Sequence, residues 1–257
     1  YSSVGTRWPV PSTSSVLWLQ RGCGTSGLTL AQKPYSVGPS AIQYELVEHV
    51  PFLGEVSLRR RAGSKHATVP LLLADDGAVL GSWAIARWAD EHGRPGLFPD
   101  GKLDEIERWN SLGERMLNIE RARMFPRLER NKAALFANVP KGLRFLGPVA
   151  LAAARQGVRF LASKYREQHR EATEEALRDG LLELRSALAG RTTLLDAFSY
   201  ADVTMAVALQ GIRPVGDQWL RLTPASREVW SEPSLADEFA DLLAWRDGLY
   251  AAHRSRP

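Results

Sequence analysis

The stretch from Ala67 to Ala89 constrains the fold of this chain more than any other. It reads Ala-Thr-Val-Pro-Leu-Leu-Leu-Ala-Asp-Asp-Gly-Ala-Val-Leu-Gly-Ser-Trp-Ala-Ile-Ala-Arg-Trp-Ala, a hairpin pattern that runs straight into a helix. Val69 to Leu73 is long enough for a buried strand and too short for a helix. Asp76-Gly77 is a turn pair favoured by two-residue hairpins, whose central residues must tolerate positive φ. Ala78 to Leu80 returns as a second strand. Ser82 stands where the helix begins, with Ile85, Trp88 and Ala89 at helical spacing behind it, and is expected as the N-cap.

Pro70 sits at the start of the strand run, where a missing N–H is tolerated. A cis bond there would bend the chain so that the backbone N–H and C=O of Val69 face a ligand. A peptide-like molecule would pair with that backbone as an added strand. The start of the Ser82 helix would lie close by, offering free amides and a positive dipole end to a carboxylate. The alternative is a plain hairpin with a trans proline and a purely structural cap.

The Val-Pro-strand-turn-strand-Ser-helix pattern resembles the glutathione-binding half of the glutathione S-transferase family. The resemblance implies that the Val69 backbone, at the cis bond to Pro70, holds the cysteinyl part of glutathione. It also implies that Ser82 holds the γ-glutamyl carboxylate. Gly81 belongs to the same site but departs from the family, which usually has Glu or Asp there to help hold the γ-glutamyl amine.

Bulk properties exclude several classes. At 257 residues the chain accommodates one large domain or two smaller ones. Its composition, 44% apolar and 24% charged, is that of an ordinary soluble globular protein. Cys23 is the single cysteine, so no intrachain disulfide forms and a reducing, cytoplasmic setting is expected. No apolar run reaches spanning length; Phe145 to Ala162, the nearest, is interrupted by Arg155 and Arg159, so no membrane partner is expected. The first fifteen residues lack the apolar core of a secretory signal, and a start at Tyr1 suggests a fragment, a processed chain or a misplaced start. The net charge of +4 and pI near 9.4 are modest, and the densest cluster, Arg59-Arg60-Arg61 with Lys65 and His66, reads as a solvated loop. No nucleic-acid partner is expected; an electropositive rim beside a site for an anionic tripeptide suits the cluster better. The five histidines show no metal-ligand spacing with one another or with Cys23, so no metal is expected.

In chain order, residues 1–14 read as disordered. Val16 to Leu19 and Tyr44 to Val50 read as strands, and Glu55 to Arg61 as a short basic helix. With the hairpin and helix that follow, this order matches a thioredoxin-like α/β layer. A parallel crossover between the first two strands needs about a dozen residues or more, normally as a helix. Yet Arg21 to Ala41 holds Gly22, Gly24, Gly27, Pro34, Gly38 and Pro39 and shows no apolar stripe. In the transferase family this segment carries the catalytic Ser, Cys or Tyr. Counting forward from the first strand points to Cys23, and counting back from Tyr44 points to Ser26. Read one base out of frame, Tyr35 to Ser40 can become Thr-Arg-Trp-Ala-Leu-Arg, a run typical of the family's first helix. A local frame error upstream of about Ile42 is therefore expected, testable on the nucleotide sequence.

Breakers from Gly93 to Gly101 mark a linker. Beyond it the pattern is helical: Leu103 to Arg123, with Pro126 near its end, then Val149 to Tyr165 opened by Pro148, Glu171 to Ala189 stopped by Gly190, and Leu235 to Ala252. Ser199 and Asp202 have capping-box spacing ahead of a helix apolar on all sides, which reads as a buried helix with an internally satisfied start. This resembles the capping motif in the C-terminal domain of the transferases and is given no chemical role.

The expected architecture is an α/β thioredoxin-like N-terminal domain over 15–95, a linker over 96–102, and an all-α bundle over 103–255. The resemblance implies a homodimeric glutathione transferase in which glutathione is co-substrate and the helical domain supplies a pocket for a small electrophile. Cys23 or Ser26 would then stabilise the glutathione thiolate. The rival expectation is a non-catalytic glutathione-binding or scaffold protein of the same fold, with a degenerate catalytic segment.

Overall fold

A computed structural model describes residues 16–21, 44–49, 55–67, 69–75, 77–93, 95–139, 141–164 and 172–253. Cys23, Ser26 and the segment read as frame-shifted lie outside the described residues. The described residues divide into two compact units, 16–93 and 95–253.

The first unit holds β1 (Val16–Arg21), β2 (Tyr44–His49), α1 (Glu55–Ala62), β3 (Leu71–Ala74), β4 (Gly77–Leu80) and α2 (Ser82–His92). Its sheet runs in the order β2-β1-β3-β4. β1 and β2 are parallel, from Val16 opposite Tyr44 to Arg21 opposite His49. β3 is antiparallel to both β1 and β4. β3 is apolar throughout because it is covered on both faces. Leu71 packs with Leu58 of α1 and Ala67, while Leu72 packs with Ile85 of α2.

Two local readings shift. Ala74 pairs with Gly77, so the turn lies between them and Gly77, at φ 137°, already belongs to β4 rather than to the turn. The N-cap of α2 is Gly81, not Ser82. Gly81 sits at φ 85°, ψ 152°, a backbone region that glycine reaches without a Cβ clash. Ser82 is thereby moved one position inward, into the first turn.

The second unit is helical among its described residues. It contains α3 (Leu103–Arg130), α4 (Lys132–Ala137), a 3-10 segment (Lys141–Leu146), α5 (Pro148–Lys164), α6 (Glu174–Leu188), α7 (Tyr200–Ala208), α8 (Pro224–Val229), α9 (Pro233–Glu238) and α10 (Ala240–His253). α3 packs against α5, α6 and α7. It continues a turn beyond Pro126 because Met124, Phe125 and Leu128 anchor its end in a core with Leu135 and Val158. That burial outweighs the backbone hydrogen bond a proline forfeits.

The Ser199–Asp202 capping box is present. Asp202 accepts the Ser199 amide at 2.9 Å and the Leu194 amide at 2.7 Å, which lets α7 start inside the core. The expected single helix from Leu235 to Ala252 is broken at Phe239, which adopts φ −113°, ψ 35°. The cause comes from α6: the Glu238 carbonyl accepts from Arg185 Nη2 at 2.6 Å, and the Arg185 guanidinium lies 4.2 Å from the Phe239 ring centre.

Candidate functional site

The start of β3 and the start of α2 are tied together. The Gly81 amide donates to the Pro70 carbonyl at 3.1 Å, and the Gly81 carbonyl accepts from Ile85 at 3.1 Å as α2 begins. The Val69–Pro70 bond is cis. Among the described residues, neither the Val69 amide nor its carbonyl has a backbone partner. Val69 and Pro70 are half-buried, and Ser82 is exposed. No side chain caps α2, and no acidic residue stands in its first turn. Helix geometry leaves first-turn amides without helical partners, so this terminus favours an anion.

Four of the expected site residues, Val69, Pro70, Gly81 and Ser82, therefore share one small region of the first unit. The other two, Cys23 and Ser26, lie outside the described residues. The link that sequence reasoning missed is the Gly81-to-Pro70 hydrogen bond. Its only signal is the glycine itself, which appears in the sequence as the loss of an acid rather than as a backbone requirement.

α1 packs on β3 and β4 and carries Arg59, Arg60 and Arg61 in its last turn, all exposed. Lys65 and His66 are exposed just beyond. Among the described residues no group of His, Cys, Asp and Glu is placed to hold a metal ion.

The charged cluster of the second unit has a different character. Glu232, almost wholly buried, accepts two hydrogen bonds from Arg123 at 2.9 Å and one from Arg127 at 2.8 Å. Burial pushes its carboxyl up, but the Arg123 hydrogen bond and the Arg127 charge outweigh this and hold it below the usual range. Glu120 is buried nearby with no hydrogen-bond partner for Oε1 among the described residues. Burial raises its carboxyl well above the ordinary value, against the Arg121 charge, and the Glu232 charge adds to the rise. Gly211 makes room for it, since a Cβ there would lie 2.0 Å from Glu120 Oε2.

Comparison with known structures assigns the architecture: the chain has the glutathione S-transferase fold. In particular, it is similar to a glutathione S-transferase of Methylobacterium radiotolerans JCM 2831, solved in complex with glutathione sulfonate. That match has 17% identity and a TM-score of 0.51, and covers 95% of this chain and 96% of that one. It is similar also to NaGST-2, at 15% identity and a TM-score of 0.51, covering 93% of this chain and 92% of that one. No family profile matches the sequence, and no curated protein does.

Proposed function

We propose that the chain is a glutathione-binding protein of transferase type, with a thioredoxin-like first unit that holds glutathione. The observation that carries this reading is the Gly81-to-Pro70 hydrogen bond, which brings the Val69–Pro70 backbone, without a backbone partner at Val69 among the described residues, beside a helix start with no side-chain cap. The cysteinyl backbone of glutathione pairs with Val69, and its γ-glutamyl carboxylate is held by the Ser82 hydroxyl and the amides of the first turn. The glutathione sulfonate complex of the Methylobacterium protein supports the same ligand class.

In the reaction, the glutathione thiol loses its proton and the thiolate attacks an electrophilic carbon of a small substrate. A C–S bond forms, and the electron pair moves to the leaving group or into the opened double bond. Cys23 or Ser26 is the proposed donor that favours the thiolate. The protein acts as a homodimer, which size-exclusion chromatography with light scattering checks.

Retention on glutathione-agarose, paired with a thiol-conjugation assay, tests the proposal. Retention with conjugation is expected. Retention alone identifies a binder without turnover, and loss of both leaves only the shared fold. Ser82→Ala is expected to weaken binding by about 1–3 kcal/mol, the cost of leaving a charged group short of one hydrogen bond. An affinity equal to that of the native protein removes Ser82 from the site.

A further inference from the structure

Residues 130 to 166 contain eight Lys and Arg and not a single Asp or Glu, in a chain with 29 acidic residues. The same run holds six of the ten large apolar side chains exposed among the described residues: Phe136, Leu143, Phe145, Leu146, Val149 and Phe160. Charge and apolar exposure are thus concentrated together on α4, the 3-10 segment and α5, which pack on one another.

α5 carries apolar side chains on both sides, with Gln156 and Ser163 among those of the outer one. Its inner side sends Val158, Leu151, Leu161 and Ala162 into the core around Met124, Leu128 and Leu135. Its outer side, read at helical spacing, runs Val149, Ala152, Ala153, Gln156 and Phe160. Val149 is 69% exposed and Phe160 50%, and just ahead of them Phe145 is 81% exposed. Exposed apolar side chains with cations interspersed on one helix suit the interface of a membrane rather than its interior. The flanking cations are Lys132, Arg144, Arg155 and Arg159. Arg144 donates to the Ala137 and Val139 carbonyls at 3.0 Å, and Arg159 pairs with Glu129 at 2.7 Å.

We propose that the face made by the 3-10 segment and the outer side of α5 docks on the surface of an anionic lipid bilayer without crossing it. The rings of Phe145 and Phe160, with Val149, enter the boundary between headgroups and acyl chains, while the Lys132 ammonium and the Arg155 guanidinium meet lipid phosphate. The arginine interruptions that bar this stretch from spanning suit a segment that lies in the interface. No described helix is long and apolar enough to cross. A second copy of the chain is the other occupant this face could take, and the effect of the double variant on the oligomeric state sets the two apart. The expectation of no membrane partner rested on spanning length alone and did not address this geometry.

The test is co-sedimentation of the full chain with vesicles of phosphatidylcholine, with and without about 30% phosphatidylserine. Binding is expected to the anionic vesicles only, weakening as salt rises. The double variant Phe145→Glu and Val149→Glu changes two exposed positions and is expected to weaken vesicle binding at least about tenfold. Unchanged circular dichroism shows that this variant remains folded. Arg155→Gln, at a position outside the glutathione site, gives a second and smaller loss. No binding to anionic vesicles, or equal binding by the double variant, overturns the proposal. So does a double variant that splits a native dimer into monomers, which would make the face a contact between copies. Binding of duplex DNA that competes with vesicles and is indifferent to the double variant also overturns it, because charge alone would then be recognised.

Discussion

Gly81 and Glu120 show how single residues set the terms of this molecule. At φ 85° and ψ 152°, Gly81 occupies backbone space that a side chain enters only under strain. The glycine that departs from the family's usual acid therefore has a backbone reason to be there. Glu120 is the reverse case, a side chain that Gly211 makes room for but whose Oε1 has no hydrogen-bond partner among the described residues. Because burial raises its folded-state pKa above the unfolded one, the native state holds the proton more tightly than the unfolded chain does. Stability from this group is complete at acid pH and falls as pH climbs from about 4.5 through the raised folded value. Glu232, held low, contributes the opposite slope: its stabilisation is present at neutral pH and lost on acidification. Glu120→Met keeps the bulk and removes the charge. It is expected to stabilise the protein by roughly 1–3 kcal/mol at pH 8 and by much less near pH 5. Urea unfolding at both pH values measures this, and destabilisation of the variant at pH 8 contradicts the account.

Among the elements, α3 and α7 meet where Gly113 leaves no room. A Cβ at Gly113 would lie 2.7 Å from Thr204 Oγ1 and 3.4 Å from the Thr204 carbonyl oxygen. Gly113→Val is accordingly expected to cost about 1–3 kcal/mol. Gly142→Ala, where a Cβ meets nothing within 4 Å, should stay within about 0.5 kcal/mol of the native protein. A shift of the urea midpoint in the first variant and none in the second is the expected pattern. The same contrast explains what could be read from sequence. The β3–β4–α2 unit and the Ser199–Asp202 box were legible because each is fixed by neighbours a few residues away: an apolar run, a turn glycine, a hydroxyl and a carboxylate. The break at Phe239 was not, because the group that causes it is Arg185, 53 residues distant from the Glu238 carbonyl it engages. The extension of α3 beyond Pro126 was missed for a like reason, since Leu135 and Val158 anchor that turn from other helices. α4 and α8 are six residues each, too short to show a repeating apolar stripe. The candidate site was half legible. Strand and helix were visible, but the Gly81-to-Pro70 hydrogen bond that joins them is a backbone contact that no side-chain pattern encodes.

At the scale of the whole molecule, each unit has a core of its own. Among the described residues the first buries Leu58, Ala67, Leu71, Leu72 and Ile85, and the second buries Leu, Met, Trp and Phe side chains along α3, α6, α7 and α10. β3 offers four residues of ladder, against the 28 residues of α3. Peptides containing 71–74 are expected to lose hydrogen-exchange protection at lower denaturant than those containing 103–130. Simultaneous loss would show that the two units unfold as one. The order of the sheet has a further consequence for how the molecule is made. β1 is synthesised first yet lies in the sheet's interior, with β2 on one edge and β3 on the other. One edge of its backbone can pair with β2 once residue 49 has left the ribosome, but the other stays open until residue 74 has, while β3 and β4 can zip up on their own as soon as they emerge. A nascent chain stalled before that point would carry an unprotected Val-Leu-Trp-Leu strand, the segment most in need of a chaperone's shelter.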